Sequence, residues 1–458
     1  ISIVFMLNSM TGVSILTLPF AFAHAGFVLG MAVVILCMLL AFVTATFTCE
    51  AFTIANALHF REGAEAEEEL LAVKSIGTET LASEFKIRER VEFVVMGQKL
   101  LQTRVMPKII YAVIVVQMYG SNTVLVVLVN QALSHAICSA CALSGMMLEN
   151  MEVYRVCVLA TFVVVCLLSM GDLQKTQKLT VVIMCFKFLA IFLFIVVSAR
   201  RAFERYQKLG DSAPLLESMP MWEISAFPAV FGNTVFMFCQ HHMLPSMVAP
   251  VSPQAKIPLV IFASFCTMVL LVAVINFTAL LAWDGEALDT CSAKPGGHFC
   301  RIQPMYNLNF APLSWAGGLA GIFIVAYPAM GIANFPVQAI TTRNTVHKML
   351  GLPPVAEVSC TNILLLLGVL APCFGVALIT QDVQVMIKYV GGYAGLTIAF
   401  FFPILLVMSG RLQLGKTQAD AARPLKARFA SAPGYIAVAI FYLLALIIIS
   451  VKLFLLPA

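Results

Sequence analysis

Long apolar runs separated by short polar stretches dominate the chain. A helix that crosses a bilayer needs about 20 mainly apolar residues. Runs of that kind recur at roughly 1–23, 26–53, 105–133, 152–170, 179–199, 222–248, 257–282, 312–340, 358–380, 383–408 and 433–456. The pattern predicts an all-α polytopic membrane protein of about eleven transmembrane helices. The longest polar stretch, 54–104, follows the second run. Its acidic part, Glu62 to Leu71, predicts a solvated helix or a disordered segment. From Ser83 to Leu101 charged and apolar residues alternate at helical spacing, with Glu84–Arg88 and Arg88–Glu92 at i,i+4. Phe85, Val91, Val95 and Met96 then face the membrane or the bundle, and the stretch predicts an amphipathic interfacial helix in preference to a regulatory module.

Composition supports this class. Of 458 residues, 61% are AVILMFWYC and 11% are charged, against about 25% charged in soluble proteins. Mean hydropathy is +0.95. Such a chain cannot cover itself with polar surface in water, which excludes soluble enzymes, nucleic-acid-binding proteins and disordered scaffolds. The apolar start at Ile1 has no basic n-region, so a signal peptide is not expected, and the first helix and a preceding tail are expected to be truncated.

The net charge of +5 bears on orientation. With the N-terminal side cytosolic, the inner loops hold 17 Lys/Arg and the outer loops 6, as the positive-inside rule requires. The cluster Arg200, Arg201, Arg205 and Lys208 runs against the rule. Trp222, Trp283 and Trp315 all fall at outer span ends in this topology, where an amphipathic ring is favoured. Basic stretch 409–432 reads as a plain inner loop. Four of the 13 cysteines fall in outer loops: Cys138, Cys141, Cys291 and Cys300. Cys291 and Cys300 are either a disulfide or free thiols, and Cys138–Cys141 carries only a weak metal or redox spacing. The membrane stays open between plasma and endolysosomal.

Two spans are interrupted. In the first, Asn8-Ser9-Met10-Thr11-Gly12-Val13-Ser14 breaks the apolar pattern and Pro19 follows. In the sixth, Gly232-Asn233-Thr234 precedes Cys239-Gln240-His241-His242, then Pro245 and Pro250. Five plus five spans fit the chain: repeat one at about 1–200, repeat two at about 222–408, and an extra helix at about 433–456. Each half opens with its broken helix. Five being odd, the second half is inverted, a pattern of transporters that bind substrate at discontinuous helices near the midplane. Unwound backbone in hydrocarbon costs several kcal/mol per unpaired group unless it meets a ligand, ion, water or protein. A half-helix that starts near Gly12–Ser14 offers amides and a positive dipole end to a carboxylate. Carbonyls before the break suit an ammonium or a cation.

The polar inventory narrows the substrate. All 23 Asp and Glu lie in loops or near span ends, with Glu50, Glu357 and Asp382 nearest the core. A small zwitterion or anion therefore fits better than a cation. Lys187 is the deepest charge, roughly 12 Å into its span. It is either a built-in cation standing where sodium would sit or cycling a proton, or a snorkelling lysine. Of His241 and His242, one is expected to act at the break and one to be satisfied within the bundle. No catalytic motif is present, and no cofactor is expected beyond coupling to protons or Na+.

Met10 to Leu16, Leu18-Pro19 and Ala25-Gly26 resemble the first helix of the amino acid/auxin permease superfamily. Phe236 to Pro245 is similar to its sixth-helix break, and Gly391 to Gly395 with Phe402-Pro403 to its tenth helix. Within that superfamily the chain resembles the transmembrane protein 104 family. The resemblance runs through Glu50-Ala51, Ala55-Asn56-Ala57, Arg90-Val91-Glu92, Met96-Gly97-Gln98, Asp172 to Thr176, Cys239-Gln240-His241, Pro250-Val251-Ser252, Asn334-Phe335-Pro336, Thr342-Arg343-Asn344 and Tyr393-Ala394-Gly395. His242 is an extra residue relative to that pattern. The resemblance implies the inverted-repeat fold of sodium-coupled amino acid transporters plus one helix, with substrate contact at the first and sixth breaks. The expected substrate-binding residues are Asn8, Thr11, Gly12, Val13, Ser14, Cys239, Gln240 and His241, and the expected ion-coupling residues are Lys187 and His242. The expected function is secondary transport of a small amino acid or related carboxylate. The alternative is a non-transporting sensor or membrane scaffold on the same fold. The bilayer and a small substrate are the expected partners, with no nucleic acid.

Overall fold

The computed structural model describes residues 2–68, 85–89, 91–103, 105–143, 150–170, 173–209, 221–283, 302–310, 323–325, 327–328, 331, 335–352, 359–419 and 425–454. Cys291, Cys300 and Trp315 lie outside these residues. All regular structure among the described residues is helical. The α-helices are α1 (Ser2–Met10), α2 (Ser14–Ala25), α3 (Phe27–Glu68), α4 (Phe93–Leu100), α5 (Met106–Leu143), α6 (Asn150–Ser169), α7 (Leu173–Leu209), α8 (Phe227–Phe238), α9 (Leu244–Val248), α10 (Ile257–Trp283), α11 (Phe335–Met349), α12 (Cys360–Ile379), α13 (Val383–Tyr389), α14 (Phe402–Ala419) and α15 (Ala432–Phe454).

Among the described residues seven helices are each long and apolar enough to cross a membrane, and the bent pair α1–α2 raises this to eight. The sequence pattern expects eleven. The difference lies in α7, in the interrupted α8–α9, and in the eighth run, which is described only in parts. α1 and α2 meet at 52°.

The helices pack in two groups. The broken helices α1–α2 and α8–α9 pack with α3 and α10. α5, α6, α11 and α12 form a second group, and α7 lies along α10. α13 and α14 close the gap between the groups. They are joined by wide π turns at Val390–Gly395 and Thr397–Phe401, a distortion concentrated at functional sites. The first of these π turns crosses α8 with no room for a side chain: a Cβ on Gly391 would lie 2.3 Å from the Gly232 carbonyl oxygen.

A second close approach fixes the α2–α3 corner. Gly26 has φ +87°, and a Cβ there would lie 2.4 Å from the Met221 backbone carbon. Main-chain bonds reinforce the contact, from Val28 N–H to Met221 O (3.2 Å) and from Glu223 N–H to Ala25 O (2.8 Å). The start of the sixth span is thereby tied to the end of the first.

The helix expected over Ser83 to Leu101 is confined, among the described residues, to α4. Upstream of it the backbone is bound by side chains instead. The Gln254 amide exchanges hydrogen bonds with Ile87 N–H (3.1 Å) and Ile87 C=O (2.9 Å). Asn56 Oδ1 accepts from the Arg88 (3.3 Å) and Glu89 (3.1 Å) amides. Those bonds replace the helical ladder. The apolar face of α4 (Phe93, Val94, Met96 and Leu100) is buried against α3, α5 and α14, so it faces the bundle. The strap crosses between the helix groups. Glu92 pairs with Lys348 (2.7 Å), and Gln413 donates to the Lys99 (3.1 Å) and Leu100 (2.7 Å) carbonyls.

Two further positions depart from expectation. Trp283 ends α10, at a span end as expected, but its ring is fully buried. It packs against Tyr306 and Phe310, with the Arg201 guanidinium 5.1 Å from its ring centroid. Glu50 is also fully buried, inside α3. Arg411 grips both its oxygens at 2.8 Å, and the Ala427 amide donates to it at 2.9 Å. A buried carboxylate needs such pairing, and apolar periodicity cannot reveal a partner 361 residues away.

Candidate functional site

The first break spans residues 11–13. Thr11 N–H still bonds back to Leu7 (2.8 Å), and Leu16 N–H makes the first forward bond, to Val13 O (3.0 Å). The amides of Gly12 and Val13 take part in neither of these bracketing bonds. The Thr11 carbonyl, freed from the helix, accepts from the Tyr327 hydroxyl. Thr11 and Ser14 are buried. Gly12 does not adopt a left-handed conformation. Among the described residues a Cβ built on it would meet only the Ser9 carbonyl oxygen, at 3.9 Å. Among the described residues a methyl group at Gly12 thus has room within the break.

The second break spans Cys239 to Met243. It reaches the first through Ser9 Oγ, 4.0 Å from Met243 Sδ. The Gln240 carbonyl gathers the Met243 and Leu244 amides at 2.9 Å, which turns the chain into α9. Its side-chain Oε1 is buried without a hydrogen-bond partner. So are Gln117 Oε1 on α5 and Thr234 Oγ1 on α8. Gln117 Oε1 and Cys239 Cβ lie 3.6 and 3.7 Å from where a Cβ on Gly395 would sit. The second break, α5 and the π turns thus converge on one point.

Lys187 is buried, and its Nζ lies 3.4 Å from Asn8 Oδ1. The two sequence candidates, 179 residues apart, meet beside the first break. His241 points elsewhere: its Nε2 lies 2.9 Å from Thr44 Oγ1 and 3.2 Å from the Ala41 carbonyl, which fastens the second break to α3. His242 is half-buried, with no hydrogen-bond partner at Nδ1.

Above the breaks sits a polar knot. Thr17 Oγ1 donates to Asn233 Oδ1 (2.6 Å). Asn233 Nδ2 donates to Ala229 O (2.8 Å) and Gln384 Oε1 (3.1 Å), and Gln384 Nε2 to Thr17 O and Pro304 O (both 3.1 Å). Each amide group is satisfied, so the knot joins α2, α8 and α13 firmly.

The family described as transmembrane amino acid transporter protein matches residues 1–454. The chain belongs to that family. It is similar to human transmembrane protein 104, 26% identical over 89% of this chain and 86% of that protein. It is likewise similar to the Dictyostelium discoideum transmembrane protein 104 homolog, 24% identical over 98% and 96%. Two solved structures share the fold. One is the MhsT transporter in complex with L-phenylalanine, with TM-score 0.53 and 12% identity over 99% of this chain and 98% of that one. The other is a manganese transporter from Eremococcus coleocola, with TM-score 0.52 and 15% identity over 100% and 88%. The protein is therefore a multi-pass helical membrane protein with a transporter fold.

Sequence reasoning missed Gln117, Tyr327, Thr17 and Gln384, and read Asn233 only as part of an interruption. The available signal was a lone amide or hydroxyl inside an apolar span, where a polar side chain needs a partner or a ligand.

Proposed function

We propose that the chain is a secondary carrier of a small amino acid or related carboxylate, working by alternating access about its two helix breaks. One observation carries this reading: among the described residues nothing crowds Gly12 within the unwound backbone, and the unpartnered oxygens of Gln240 at the other break and of Gln117 on the facing α5 are buried. A buried acceptor without a donor costs about 1–3 kcal/mol. An ammonium group satisfies such acceptors, and the amides at Gly12 and Val13 suit a carboxylate. Together they match the two ends of a zwitterion. Asn8, Thr11 and Ser14 flank Gly12, and Lys187 beside Asn8 is the proposed ion-coupling group. His241, held by α3, acts by fixing the break. The L-phenylalanine bound to MhsT supports an amino acid substrate. A metal ion is less well served, since no group of three His, Cys, Asp or Glu suited to a metal is found among the described residues.

The strap that pins the helix groups together favours the alternative of a non-transporting sensor. Uptake of labelled amino acids into proteoliposomes, with sodium and pH gradients varied separately, separates the two. Saturable uptake supports the carrier. Saturable binding without flux supports the sensor and overturns the carrier.

A further inference from the structure

At the end of the bundle beyond the polar knot lies a cavity of about 400 Å³. Its walls come from α2 (Phe20), α5 (Gln131 and His135), Pro304, Met305 and Leu308, and residues 381–388 at and before α13. Gln384 lies both in its lining and in the knot, so the knot is its floor and the breaks lie below. Thr17 is three residues past Ser14, roughly 5 Å along α2.

Most polar groups of the lining are already engaged. Gln131 Nε2 donates to the Gln381 carbonyl (2.9 Å), and Gln381 Nε2 lies against Met151 Sδ (3.2 Å). Gln384 is fully used in the knot. Asp382 Oδ1 accepts from the Val385 amide (3.0 Å) at the exposed start of α13. Lys388 differs. It stands six residues further on, roughly 9 Å deeper along the axis, and is half-buried. It makes no ion pair among those described. His135 faces the same space.

The geometry points to this cavity as a second ligand site, an antechamber that takes the carboxylate of an amino acid on Lys388. A low-dielectric wall behind a single cation focuses its field into the cavity. The Asp382 carboxylate at the rim is placed for the ammonium end. The volume admits a small amino acid with some of its water. The ligand class rests on the carrier reading; the charge and accessibility of the site do not.

The test uses the full chain in nanodiscs, with both faces open to reagent. Val385 is exposed, lines the cavity and lies one helical turn from Lys388. V385C is titrated with the anionic methanethiosulfonate MTSES and the cationic MTSET, and modification of that site is followed by mass spectrometry. At about 6 Å in water-like surroundings one charge changes each rate about threefold in opposite directions. The anionic-to-cationic rate ratio should therefore fall about tenfold in V385C/K388Q and return in V385C/K388R. Acetate and L-alanine should slow MTSES on V385C and lose that effect with K388Q. A ratio indifferent to K388Q, with the variant monodisperse, overturns the site, as does failure of both ligands to protect. Protection without uptake would sink the carrier and leave the site. Uptake without protection would do the reverse.

Discussion

Gly12→Ala separates a glycine kept for ligand space from one kept for the fold. Gly12 is outside the left-handed region, and among the described residues an added Cβ meets only one atom, at van der Waals distance. Nothing among the described residues resists the methyl group. The unfolded chain loses freedom, so stability should hold or rise by about 0.4–1 kcal/mol. The methyl projects into the space assigned to substrate. Overpacking by a single group costs about 1–3 kcal/mol, and each 1.4 kcal/mol is tenfold in affinity. Binding should weaken by about 5- to 150-fold. The assay pairs the melting temperature of the purified protein with the concentration dependence of uptake or binding. An unchanged melting temperature with weakened binding is expected. Lost stability, or unaltered affinity for a transported amino acid, would refute the placement of substrate at the first break.

Gly26→Ala should do the opposite, since it combines a positive φ with backbone 2.4 Å away; a loss of more than about 1–3 kcal/mol is expected, read as poor yield and a lowered melting temperature. Glu50→Gln breaks a bidentate pair in a fully buried position and should cost on the order of 3 kcal/mol; a melting temperature equal to the parent's would argue against a structural role. Asn233→Leu strips partners from Thr17 and Gln384 and should destabilise by about 1–3 kcal/mol, visible as faster hydrogen exchange at the start of α13. Lys187→Ala should abolish the ion dependence of uptake while Lys187→Arg keeps part of it; identical ion dependence in both would remove Lys187 from coupling.

The breaks were legible because glycine and hydroxyl residues are conspicuous in a run that must otherwise be apolar. Thr11 to Ser14 and Cys239 to His242 announce themselves this way. The role of each side chain was not legible. His241 stands out beside the break in the sequence, but its Nε2 contacts with Thr44 and Ala41 of α3 appear only in the fold. Gln117 resembles a stray amide until Cys239 and Gly395 are brought opposite it. The segment before α4 has helical spacing, yet Asn56 and Gln254 capture its backbone. Local periodicity has no access to such distant competitors.

By itself the sequence determined that the protein is a helical membrane protein and where its helices break, because the cost of exposing polar groups to hydrocarbon is paid locally, residue by residue. Tertiary structure alone decided which polar groups were left over. Satisfaction of a buried group depends on what lies opposite, often hundreds of residues away. Packing paired Glu50 with Arg411, knotted Thr17, Asn233 and Gln384, and set Lys187 beside Asn8. It left the oxygens of Gln117 and Gln240 without partners.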